Sequence, residues 1–209
     1  MSIIINNVSK KIGNDVILDN INLTFEEGKI YGLVGRNGSG KSMILKTICG
    51  FIKPDTGFVL INDNDIYKTC SFPDDTGALL DVPNYIPDLT GFENLQLLAH
   101  IQNKIGNDEI IEALKMVNLY ESKDKKFKKY SLGMKQKLGI AHALMENPKI
   151  IILDEPFNGL EDESCEKIRK LLIDEKNKNK IIIIATHIKE DIESLCDVVY
   201  RVDNGKIKE

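Results

Sequence analysis

The eight residues Gly35-Arg36-Asn37-Gly38-Ser39-Gly40-Lys41-Ser42 constrain this chain more than any other stretch. They follow an apolar run, Ile30-Tyr31-Gly32-Leu33-Val34, that reads as a buried strand. They precede Met43-Ile44-Leu45-Lys46-Thr47-Ile48-Cys49, which reads as a helix. A Gly-rich turn at such a junction is an anion site. Gly35, Gly38 and Gly40 allow close approaches that a Cβ would block, so successive N–H groups point inward, helped by the helix dipole. In the pattern G-x-x-x-x-G-K-[ST], Lys41 reaches the β- and γ-phosphates of a nucleotide and Ser42 offers its hydroxyl to Mg²⁺. The residues expected to bind the nucleotide here are Gly35, Arg36, Asn37, Gly38, Ser39, Gly40, Lys41, Ser42 and Met43.

The other half of a phosphoryl-transfer site lies downstream. Ile150-Ile151-Ile152-Leu153 is a second buried run, ending in Asp154-Glu155-Pro156. Two carboxylates then stand at the carboxyl end of a strand, where open α/β sheets bind ligands. Asp154 suits a magnesium shell, because Mg²⁺ takes one or two carboxylates and keeps much of its water. Glu155 is placed to polarise the attacking water. After a third run, Ile181-Ile182-Ile183-Ile184-Ala185-Thr186, stands His187. Alone, a histidine there is more often a structural hydrogen-bonder than a γ-phosphate contact.

A third motif weighs against that bland role. Tyr130-Ser131-Leu132-Gly133-Met134, with Lys135-Gln136 behind it, resembles the signature segment of ATP-binding cassette (ABC) ATPases. Lys41, Ser131, Asp154 and His187 stand in the order of that family, with 23 residues from Ser131 to Asp154. Over essentially its whole length the chain is similar to one nucleotide-binding domain of an ABC transporter. Ser131 to Ala141 and Asn158-Gly159-Leu160-Glu161 are most similar to bacterial peptide-antibiotic efflux and lantibiotic-immunity ATPases.

The resemblance implies an α/β P-loop NTPase, with a RecA-like core on a mainly parallel sheet, an N-terminal antiparallel β-region and a helical subdomain. It implies ATP hydrolysis with Mg²⁺, Glu155 and His187 being the catalytic pair and Ser42, Asp154 and Asp81 the metal-side residues. Ser131 and Gly133 would complete the ATP site of a second nucleotide-binding domain. The membrane-spanning permease would be a separate chain, holding this one at the inner face of the cell membrane from the cytoplasmic side. Two other classes stay open: a non-transport ABC ATPase, which usually carries additions that do not fit in 209 residues, and a catalytically weak regulatory cassette.

Several residues depart from the family pattern. Ile12, in Lys11-Ile12-Gly13, stands where relatives stack an aromatic ring on adenine, with Tyr31 or a partner residue as the other source of a ring. Asp81 stands where most relatives have Gln, in Gly77-Ala78-Leu79-Leu80-Asp81-Val82-Pro83. Glu161 replaces the usual Asp, and Leu132 and Met134 replace Gly and Gln.

The rest of the chain reads as one cassette, with a core at about 1–71 and 148–209 and a helical subdomain at about 72–147. Up to about Gly28 the alternation of Ile21, Leu23 and Phe25 predicts antiparallel strands about a turn at Gly13-Asn14. Lys53 to Gly57 reads as a turn feeding the strand Phe58-Val59-Leu60-Ile61. From about Phe72 strands give way to helices, opened at Thr90-Gly91-Phe92-Glu93, at Asn107-Asp108 and at Ser131. A net charge of −4 gives no drive toward nucleic acid, and none is expected as a partner. The basic run Lys123 to Lys129 reads as a solvated face, or else as a contact with anionic lipid or a partner loop. No stretch approaches the ~20 apolar residues that span a bilayer, and the first residues carry no signal-peptide pattern. Cys49, Cys70, Cys165 and Cys196 lack metal-like spacing and are expected as reduced thiols.

Overall fold

The computed structural model describes residues 1–68, 72–81 and 84–208. Strands β1 (Ser2–Ile12) and β2 (Asp15–Glu26) form the expected hairpin about Gly13-Asn14, with Ile21, Leu23 and Phe25 buried. β3 (Lys29–Val34) and α1 (Lys41–Ile48) flank the Gly-rich loop. β4 (Thr56–Ile61), β5 (Asn64–Asp65) and β6 (Thr76–Leu79) follow, then α2 (Gly91–Gln102), α3 (Asn107–Met116) and α4 (Leu132–Leu144). The chain closes through β7 (Ile150–Asp154), α5 (Asp162–Lys176), β8 (Ile181–Thr186), α6 (Lys189–Leu195) and the hairpin β9 (Val198–Asp203) and β10 (Lys206–Lys208).

Two sheets carry the molecule. The antiparallel sheet has the order β2-β1-β4-β5, and the larger one the order β10-β9-β3-β8-β7-β6, parallel except for β10. The isoleucine runs are explained by burial on both faces. Ile150, Ile152, Ile181 and Ile183 turn to a core shared with α1 and the antiparallel sheet. Ile151, Leu153, Ile182 and Ile184 turn to one shared with α4 and α5. Successive side chains of a strand alternate faces, so one run of four feeds two cores.

Two expectations are corrected. The stretch read as turning from strands to helices at Phe72 contains β6, which pairs in parallel with β7 from Thr76↔Ile150 to Leu79↔Leu153. Four residues without a β-branched run carry little strand signal of their own, and the open edge of β7 supplies it. β4 begins at Thr56, two residues before the expected Phe58, because Thr56 pairs with Ser9. The helix starts were legible. Thr90 and Glu93 make a reciprocal capping box on α2, with Glu93 N donating to Thr90 Oγ1 at 3.1 Å and Thr90 N to Glu93 Oε2 at 2.7 Å. Ser131 caps α4, accepting from Met134 N at 3.2 Å. Cys49, Cys165 and Cys196 are free thiols, whereas Cys70 and residues 82 and 83 lie outside the described residues.

Candidate nucleotide site

The loop after β3 is built from its tightest points outward. An ideal Cβ on Gly35 would lie 2.1 Å from Val202 O, so only glycine lets the loop pass β9 so closely. Gly40, at φ 111°, turns the chain into α1, which has no side-chain cap. The first N–H groups of α1 are thereby left free to meet an anion. Lys41 is buried and folds back over the loop, with Nζ donating to Gly35 O at 2.9 Å and Arg36 O at 3.3 Å.

β7 runs parallel to β3 with β8 between them, which brings Asp154 and Glu155 to the loop. Burial pushes the Asp154 carboxyl above its ordinary value. The Ser42 hydroxyl and Lys41 oppose that push, and the negative charges of Glu155 and Asp81 add to it. Among the described residues Asp154 Oδ1 has no hydrogen-bond partner. A buried carboxylate oxygen without a donor, beside a hydroxyl, fits a hard cation that takes oxygen ligands. Among the described residues no three acidic, His or Cys side chains stand close enough together to hold a metal ion by themselves, so phosphate and water would supply the other ligands.

Glu155 is the most constrained residue of the site. Its φ is 47°, which costs a non-glycine residue about 1 kcal/mol or more. Its N–H donates to Ala185 O at 2.8 Å, and its carbonyl accepts from Gln136 Nε2 at 3.0 Å. Both carboxylate oxygens lie 2.9 Å from His187 Nδ1, which must carry the proton to donate there. Lys41 Nζ stands 3.8 Å from Glu155 Oε1. The Glu-Lys-His constellation expected from scattered residues is thus assembled by three neighbouring strands.

A cavity of about 640 Å³ opens over Lys41, Asp154 and Glu155, with His187 outside its lining. It is lined by the expected Ile12, Asn37, Gly38, Gly40, Lys41, Ser42, Met43, Asp81, Asp154 and Glu155. Ile12 is 54% exposed at its rim. Tyr31 does not supply a base-stacking ring: it is buried, its hydroxyl accepts from Glu26 N at 2.7 Å, and its ring stacks on Tyr200. Asp81, at φ 62°, holds Lys46 Nζ at 2.7 Å from its Oδ2.

Of the expected nucleotide contacts, Gly35, Arg36, Ser39, Ser131 and Gly133 lie outside that lining. Gly133 packs against the loop of Gly159, whose carbonyl oxygen would stand 2.7 Å from a Cβ there. Sequence reasoning did not assign Ile17, Leu132, Gln136 and Asn158 to the site, although they line it. For Gln136 and Asn158 the signal was present, since both stand in the motifs that carried the resemblance. Only the fold turns them toward the cavity.

The model of the ABC transporter family matches residues 18–158. An uncharacterized ABC transporter ATP-binding protein of Bacillus subtilis, YybJ, is 39% identical over 97% of this chain and 93% of its own length. The bacitracin transport ATP-binding protein BcrA of Enterococcus faecalis is 38% identical over 97% of this chain and 67% of its own. A solved ABC cassette, dimeric in a post-hydrolysis state with ADP and Pi, superposes with a TM-score of 0.86 at 30% identity, covering 99% of this chain and 97% of that one. The chain belongs to the ABC transporter family, as one of its ATP-binding, ATP-hydrolysing cassettes.

Proposed function

We propose that this cassette powers the export of a peptide antibiotic or similar compound through a separate membrane-spanning permease. The observation that carries the catalytic part is Glu155, gripped between Lys41 and His187 at the mouth of the phosphate loop. ATP lays its triphosphate along the N–H groups of Gly38 to Ser42, and Lys41 leaves its two carbonyl partners for the β- and γ-phosphates. Ser42 and Asp154 are the residues that would hold a magnesium ion, which would supply neutralisation of phosphate charge. Glu155 takes the proton of the attacking water, and His187 keeps its carboxylate turned toward the γ-phosphate. Asp81, tied to Lys46, stands at the rim as a residue that responds to the nucleotide.

The cargo reading rests on BcrA, a bacitracin transport ATP-binding protein. The permease reading rests on an apolar strip. Phe51, Phe72, Ile86, Leu97 and Ile101 are each half or more exposed. Phe51 meets Phe72 ring to ring at 5.5 Å, and Leu98 lines both the cavity beside Phe72 and Ile101 and the groove beside Ile86 and Leu97. Scattered apolar residues are normal on a surface, but a continuous strip marks an interface. No helix among the described residues is long and apolar enough to cross a membrane, so the permease would hold the cassette at the cytoplasmic face. A second cassette would bring its own Ser131 and Gly133 to this site, in keeping with a dimeric structural neighbour and with the exposed start of α4.

Steady-state ATPase of the purified chain, alone and with its permease, tests this reading. Glu155→Gln is expected to keep ATP binding and to lower turnover by about 10²-fold or more. Near-normal turnover would remove Glu155 from its role, and a wild-type chain idle in both settings would favour the regulatory cassette.

A further inference from the structure

Arg169 lies on α5 outside the nucleotide cavity, and its side chain is only 14% exposed. One guanidinium touches three segments. It ion-pairs with Asp191 of α6, whose side chain is 2% exposed. Nη1 donates to Glu166 Oε1 at 2.5 Å, and its carbon lies 5.4 Å from the centre of the buried Phe157 ring. Phe157 follows Glu155 by two residues, and Asp191 follows His187 by four. The two members of the Glu155–His187 pair leave the ends of neighbouring strands, joined there by the Glu155 N to Ala185 O bond. Beyond that bond each chain runs on to the same arginine.

A buried ion pair is a poor device for stability, because desolvation offsets most of its attraction. This pair is also incompletely satisfied: among the described residues Arg169 Nε and Asp191 Oδ2 have no hydrogen-bond partner. What the planar guanidinium offers instead is geometry, since it meets a carboxylate along its edge and a ring with its face. We infer that Arg169 is a positioning residue for ATP hydrolysis, setting the Glu155–His187 contact by clamping Phe157 on one side and Asp191 on the other. The inference rests on Glu155 and His187 being the hydrolytic pair.

The test is a mutant cycle on the full chain, read by single-turnover ATP hydrolysis with nucleotide binding measured in parallel. Arg169→Met is expected to slow hydrolysis by about tenfold or more, because small displacements of reacting groups are costly, while ATP affinity stays within about twofold. Arg169→Lys, which keeps a partner for Asp191 but loses the planar face, is expected to recover only part of the rate. In a His187→Ala background, Arg169→Met should change the residual rate by less than about twofold, since the effect travels through His187. Equal slowing in both backgrounds, or an unchanged rate in the first, overturns the inference. If Arg169→Met loses its folded circular-dichroism spectrum, Arg169→Lys carries the same cycle. Wild-type turnover by His187→Ala would sink the hydrolytic pair and this inference together, whereas a crippled His187→Ala beside a normal Arg169→Met sinks the inference alone.

Discussion

At the scale of single residues, the site concentrates conformations and contacts that stability alone would not select. Glu155 sits at positive φ, and Asp154 keeps a buried oxygen with no donor among the described residues, both beside the phosphate loop. Ile12 is the residue whose departure from the family pattern has the clearest consequence. With Ile17 and Met43 it gives the cavity an aliphatic wall where a ring is usual, and Tyr31 is locked in the core by Tyr200 and Phe25. ATP affinity should then come mostly from the triphosphate, with ATP and GTP bound within about tenfold of each other. Ile12→Tyr should tighten ATP by about 0.5–1.5 kcal/mol in a calorimetric titration. A strong ATP preference in the wild type with no gain in the variant would place the base on another surface.

At the scale of elements, the site depends on how α4 lies against the sheet. α4 carries Leu132 and Gln136 to the cavity, and its far end rests on β6 at Gly77. A Cβ at Gly77 would stand 1.7 Å from Ala143 O and 2.8 Å from its carbonyl carbon, backbone atoms that move only with the helix. Gly77→Ala is therefore expected to destabilise the chain by about 1–3 kcal/mol. A thermal melt should register this as a drop of several degrees, at about 2–4 °C per kcal/mol for a chain of this size. An unchanged melting temperature would mean that β6 and α4 are less tightly coupled than their contact implies. The caps of α2 and α4 act at the opposite ends of these helices, and there the serine, threonine and glutamate signals alone were enough to locate them.

For the molecule as a whole, the nucleotide cavity and the apolar strip are joined along the chain through the segment after β6. Asp81, which lines the cavity, and Ile86, in the strip, stand five residues apart in the chain. Asn94 of α2 secures Ile86, with Ile86 N donating to Asn94 Oδ1 at 2.8 Å and Asn94 Nδ2 to Ile86 O at 3.1 Å. Ile101→Asp changes a side chain that is 77% exposed, so stability should move by less than about 0.5 kcal/mol and basal ATPase should hold. Recovery of the chain with membranes containing its permease should fall sharply, measured by sedimentation with and without the substitution. Undiminished recovery would place the docking surface elsewhere.

Features that depend on local backbone demands and on burial of continuous runs are readable from the amino-acid order. A glycine-rich turn between strand and helix, isoleucine runs buried on both faces, and Ser or Thr at helix starts each announce their structure, because the physical requirement lies within a few residues. Lys41, Asp154, Glu155 and His187 each stand at the end of such an element, and it is the order of the family motifs that joins them into one candidate site. Features that depend on distant partners emerge only in the folded chain. Thr76 to Leu79 become a strand only against the edge of β7, and Asp81 meets Lys46 across a loop. Gln136 reaches the Glu155 carbonyl from another element, and Arg169 meets Phe157 and Asp191 from a third. Such contacts join segments far apart in the chain, and the chain order does not encode which polar groups the closed fold will bring within hydrogen-bond reach.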